Sequence, residues 1–113
     1  MTFLIDNNRI TVSTVTDDYT LALGDEGSLI HMNSGDAKTI SIPTNATVAF
    51  AIGTQIRVSR KGAGSTTISA SDGGTTTVNS ASGNNQINAQ HAVATIVKVG
   101  TDEWVLFGSL TGA

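Results

Sequence analysis

With 113 residues and a mass of 11.6 kDa, the chain has room for one domain of about two packed layers. Only 13% of residues are charged, six are Lys or Arg, and the net charge is -3, which excludes the basic field that a nucleic-acid backbone requires. There is no cysteine, so neither disulfides nor thiolate-bound zinc can staple the fold.

Thr, Ser, Asn and Gly account for 48 of the 113 residues, and strong helix formers are scarce. The apolar fraction of 39% is too high for a disordered tract and is rich in Ile and Val, so a folded all-β domain is expected. The opening Met1-Thr2-Phe3-Leu4-Ile5-Asp6 has no basic leader and too short an apolar run for a signal peptide. No apolar run approaches the roughly 20 residues of a membrane-spanning helix, and a soluble protein is expected. Residues 1–9 read as an N-terminal arm and residues 10–113 as a sandwich domain.

Period-two alternation recurs about every ten residues and predicts eight or nine short strands. The first spans Ile10 to Val15 and the second Tyr19 to Leu23, followed by a turn at Gly24-Asp25-Glu26-Gly27. Ser28 to Asn33 and Thr39 to Ile42 flank a hairpin-type loop at Asn33-Ser34-Gly35-Asp36. Pro43 ends that strand, and Thr44 to Thr47 is the one place for a turn or single helical turn. Thr54 to Arg60 alternates cleanly, with Ile56 and Val58 inward. Lys61-Gly62-Ala63-Gly64 and Asp72-Gly73-Gly74 read as hairpin turns around Thr66 to Ala70, leading to a strand from Thr75 to Asn79. Gln86-Ile87-Asn88 is short enough to sit at an edge or a bend.

His91 to Val99 is the longest strand and is expected to be central, with Val93, Val97 and Val99 on one face and Ala92, Ala94 and Ile96 on the other. A turn at Gly100 to Glu103 leads into Trp104 to Gly108, where Trp104 and Leu106 oppose Val105 and Phe107. Both faces of that strand are apolar, which fits one face in a core and the other against a neighbour. No internal repeat of 20 to 50 residues is read from the sequence.

The chemistry-bearing residues point to structure. His31 and His91 have no ligand neighbours at metal spacing, and both read as strand histidines. Asp17-Asp18, Asp25-Glu26, Asp72 and Asp102-Glu103 all fall in predicted turns, where a carboxylate bonds nearby amides. A hydrolase would need His31 or His91 beside a carboxylate in a pocket. Gly62-Ala63-Gly64-Ser65-Thr66 lacks the lysine and the following helix of a phosphate loop. No catalytic, cofactor-binding or metal-binding residues are assigned, and no enzyme activity is expected. The interface candidates are Phe3, Leu4 and Ile5 of the arm, which a first strand packed on its own sandwich explains equally, Trp104, Val105 and Phe107 of the last hairpin, and the basic trio Arg57, Arg60 and Lys61, for which a solvated rim is the favoured reading.

A series of short motifs runs in order from Tyr19 to Leu110. They are Tyr19-Thr20-Leu21, Gly27-Ser28-Leu29-Ile30-His31-Met32-Asn33, Thr39-Ile40-Ser41-Ile42-Pro43, Val48-Ala49-Phe50, Gly53-Thr54-Gln55-Ile56, Gly62-Ala63-Gly64, Thr67-Ile68 and Gly100-Thr101-Asp102-Glu103-Trp104-Val105-Leu106-Phe107-Gly108. In order and spacing this series resembles a small module of tailed-bacteriophage virion proteins, over more than three-quarters of the chain. The resemblance implies an antiparallel, jelly-roll-like β-sandwich that acts as a structural or attachment module, often as a trimer. A free-standing accessory subunit is expected from the short chain. The leading expectation is a capsid decoration protein that binds the major capsid protein on the head exterior. The alternative is a tail- or head-fibre-associated module binding host glycan or protein through the turns at Asp25, Asp72 and Asn84.

Overall fold

The alternation of apolar and polar residues sorts each strand's side chains to two sides, and the apolar sides need a common cover. The computed structural model describes residues 9–72 and 74–112. Among them it forms strands β1 (Val12–Val15), β2 (Tyr19–Thr20), β3 (Leu29–Met32), β4 (Lys38–Ile42), β5 (Gln55–Arg60), β6 (Thr66–Ala70), β7 (Thr77–Asn79), β8 (Gln86–Ile87), β9 (Val93–Gly100), β10 (Glu103–Gly108) and β11 (Leu110–Thr111). One sheet has the order β1-β3-β5-β9-β10-β7 and the other β11-β8-β6-β4-β2. The two sheets close over a core in which Ile30, Ile40, Ile56, Ile68 and Ile96 are fully buried. Phe50 meets Trp104 edge-on within that core, ring centres 5.5 Å apart and planes at 84°.

The all-β sandwich is as expected, but its pairing is mixed, which corrects the antiparallel, jelly-roll-like arrangement. β1, β3 and β5 run parallel in one sheet, β2, β4 and β6 run parallel in the other, and β7 runs parallel to β10. The connections from β3 to β4, from β5 to β6 and from β6 to β7 are therefore not hairpins, because each carries the chain from one sheet to the other. Glycine turns specify that the chain bends, and leave open which sheet receives the next strand. The β9–β10 hairpin is antiparallel as expected, and β9 lies inside its sheet.

The chain thus winds, alternating sheets from β1 through β9. Leu29 pairs with Arg57 and Lys38 with Thr66, so β5 follows β3 and β6 follows β4 at the same offset of 28 residues, whereas Val12 pairs with Leu29 and Tyr19 with Ile40 at shorter offsets. The corner joining β3 to β4 carries the corner joining β5 to β6 at that same offset. A Cβ added at Gly62 would overlap the Ser34 backbone, and one at Gly64 would overlap Asp36. Only glycine permits such an approach. The β3–β4 and β5–β6 windings therefore stack in register, which the alternation alone did not reveal.

Three smaller differences have local causes. β2 stops at Thr20, and Leu23–Asp25 forms a 3-10 turn where Tyr19 to Leu23 was expected to stay extended. The Asp25 carboxylate accepts both the Ala22 amide and the Tyr19 hydroxyl, and so draws the chain into that turn. β8 is short as expected but lies one strand in from the edge, covered by β11. His91 has a φ of 71° and turns the chain before β9 begins at Val93.

Candidate functional site

The six-stranded sheet has a second face, turned away from the core. Strand parity puts Val12, Leu29, Arg57, Thr95 and Phe107 in one row across five strands. The next row holds Gln55, Val97, Val105 and Asn79. Val12 is 55% exposed and Phe107 51%, and Val93 and Val99 add exposed apolar surface on the same side of β9. A wet face normally carries polar side chains, so the grouping of Val93, Val97, Val99, Val105 and Phe107 on β9 and β10, beside the polar Arg57, Thr95, Gln55 and Asn79, is a surface feature that folding does not explain.

The candidate residues separate by parity. Val105 and Phe107 face outward, as an interface needs. Trp104 does not: it is 1% exposed, and its place is the core against Phe50, which corrects its assignment to an interface. Arg57 lies in the outer row between Leu29 and Thr95. Arg60 is half-buried at the end of β5, on the same side as Ile56 and Val58, and donates to the carbonyls of Gly62 (3.3 Å), Ala63 (2.6 Å) and Ile87 (3.2 Å). It fastens the Lys61–Gly64 corner to β8 of the opposite sheet, so the expected basic trio is not one patch. Lys61 is exposed, and its carbonyl accepts the Gln90 side chain at 2.8 Å. Phe3, Leu4 and Ile5 lie outside the described residues, as does most of the 1–9 arm.

Several ionisable groups are held in hydrogen bonds that fasten turns. Asp18 accepts the Thr39 amide, Asp72 the Gly74 amide and Asp102 the Asn45 amide, each at 2.8–2.9 Å. Asp25 is only 7% exposed, so in this turn, one of the three considered for host recognition, the solvent-facing carboxylate is that of Glu26. Tyr19 donates to it at 2.7 Å, and that hydrogen bond, with burial and the carboxylate charge, pushes the Tyr19 phenol up to about 12. The His31 ring is hydrogen-bonded through Nδ1 to Ser59 on the outer face of the sheet. Among the described residues no three His, Asp or Glu side chains are grouped to hold a metal ion. An open groove of about 260 Å³, lined by Ala81, Asn84, Leu106, Phe107, Gly108 and Leu110, is smaller than a usual small-molecule site.

Lys98 escaped sequence reasoning altogether. Lys98 lies on the Ala94 and Ile96 side of β9 and is 2% exposed. Its ammonium donates to Asn45 Oδ1 at 2.6 Å and to the Phe50 carbonyl at 2.7 Å, at the opposite end of the sandwich from Arg60. The outward placing of Val97 and Val99 already implies an inward Lys98, but a lysine between two valines reads by habit as solvated. Compared with protein-family models, with curated proteins and with solved structures, the chain finds no match.

Proposed function

We propose that the chain is a structural module of a bacteriophage virion, a decoration protein that assembles as a trimer and reinforces the head exterior. The observation that carries this reading is the cluster of exposed and half-exposed apolar side chains, Val93, Val97, Val99, Val105 and Phe107, on the outer face of β9 and β10. The sequence resemblance supplies the virion context. Covering an exposed Phe or Val contributes up to about 1.5–3 kcal/mol per side chain, so a handful of them suffices for a weak contact. Threefold attachment then multiplies weak contacts into stable decoration by raising effective concentration. Arg60, Lys98, Asp25 and Asp102 fit the same reading, because each is committed to holding loops and sheets together.

The experiment is a comparison of phage heads with and without the protein under heating and osmotic shock. Heads that carry it are expected to survive longer, and heads re-decorated with Phe107→Asp protein to behave as bare ones. Equal rupture of bare and decorated heads overturns the proposal.

A further inference from the structure

A buried ammonium is costly unless charge or hydrogen bonds compensate it, and Lys98 is compensated by neutral oxygens. Among the described residues it forms no ion pair, and the acceptors of its Nζ are the Asn45 side-chain oxygen and the Phe50 carbonyl. By register it sits beside Trp104 on the inner face, with Phe50 packed against that ring. The lysine backbone is fixed by pairing of its amide with Thr54 and of its carbonyl with Gly53. Asn45 is fixed as well. It lies in the turn closed by the Thr47 and Val48 amides on the Thr44 carbonyl, and its own amide is held by Asp102 at 2.8 Å.

The geometry points to an intramolecular isopeptide bond between Lys98 Nζ and Asn45 Cγ, formed after folding with loss of ammonia. The nucleophile is in contact with the amide oxygen, and the carbon to be attacked is one C=O bond behind it, so the reactants are neighbours before any rearrangement. The Lys98 ammonium first passes one proton to Asn45 Oδ1, to which it already donates, which frees its lone pair and polarises Cγ. The Nζ–Cγ bond then forms and the Cγ–Nδ2 bond breaks as the Oδ1 proton moves on to Nδ2. Of the three protons on the lysine nitrogen, one remains on the new amide and two leave with Nδ2 as ammonium. No oxidant or co-reactant is required. The positive charge departs with the ammonium, so a buried ion is replaced by a neutral amide and its burial cost is removed. Asp102 acts as a positioning residue, presenting Asn45 through its backbone amide. The bond would tie β9 to the β4–β5 connection across 53 residues and so pin the two sheets at this end.

The test is the intact mass of the purified, denatured wild-type chain, followed by peptide mapping. A mass lower than the sequence mass by one ammonia is expected, with a branched tryptic peptide joining Lys98 to Asn45. Asn45→Ala and Lys98→Met proteins are expected to have their full sequence masses. Asp102→Ala is expected to fold, by circular dichroism, and to show a several-fold lower cross-linked fraction after the same ageing. A wild-type chain that keeps its full mass after prolonged incubation overturns the bond. So does one made heavier by hydrolysis of Asn45 to aspartate. An undiminished cross-link in Asp102→Ala overturns the positioning role.

Discussion

Gly62 lies directly on Ser34, one 28-residue winding later, so close that a methyl group at position 62 would occupy the space of the Ser34 backbone. Here a glycine is fixed by what sits beneath it, since its φ is not in the left-handed region. The same reasoning separates it from Gly35 in the corner below, around which there is open space.

Gly62→Ala should therefore lower stability by about 2 kcal/mol or more, within or above the usual cost of overpacking. Gly35→Ala should change it by less than about 0.5 kcal/mol, as surface substitutions do. Urea unfolding of both variants checks the contrast, and equal midpoints would contradict the stacked winding.

The Tyr19–Asp25 bond gives stability a dependence on alkaline pH. The phenol's folded value of about 12 exceeds its ordinary value of 10.0. Between those values the unfolded chain has released a proton that the folded chain retains, so folding weakens as pH rises. The contribution is fully present below about pH 10 and is lost as pH passes through about 12. Tyr19→Phe should cost about 1 kcal/mol at neutral pH, the usual worth of such a bond at a half-exposed site. The gap between wild type and variant should close across the alkaline range, as read by urea titrations at a series of pH values.

Strand positions were legible because a half-buried strand writes its period into the sequence, as Ile56 and Val58 do between Gln55, Arg57 and Ser59. Strand direction was not, because turns such as Lys61–Gly64 look alike whether the chain folds back or crosses to the other sheet. A trace of the winding does stand in the sequence: Thr39-Ile40-Ser41 lies in register with Thr67-Ile68-Ser69. The apolar outer face was legible from the two-sided greasiness of Trp104 to Phe107, but parity alone could not say which side faced the core. Only packing against Phe50 settles that for Trp104. Arg60 and Lys98 were hidden by their charge, because their inward turn depends on carbonyls contributed by loops distant in sequence.

Arg60 should be poorly replaced by lysine. Its planar fork reaches three carbonyls on two segments at once, and an ammonium on a flexible stem cannot match that geometry. Arg60→Lys should cost about 1–2 kcal/mol, the range of one or two hydrogen bonds from a charged donor. Lys61→Ala, next in sequence and exposed, should be nearly neutral. Thermal unfolding of the two variants distinguishes a clamp from a solvated rim.

Phe107 and Leu106 are adjacent on β10 yet face opposite ways, which lets assembly be separated from folding. Phe107→Asp places a charge on the outer row, where half the side chain already meets solvent, so the monomer should keep its stability to within about 0.5 kcal/mol. Leu106→Asp places one in the core and should prevent folding, since an unpaired buried carboxylate outweighs the whole stability of a small domain. Sedimentation velocity should then show the wild type self-associating and Phe107→Asp as a folded monomer. If Phe107→Asp associates as the wild type does, the outer face of the six-stranded sheet is not the surface through which copies meet.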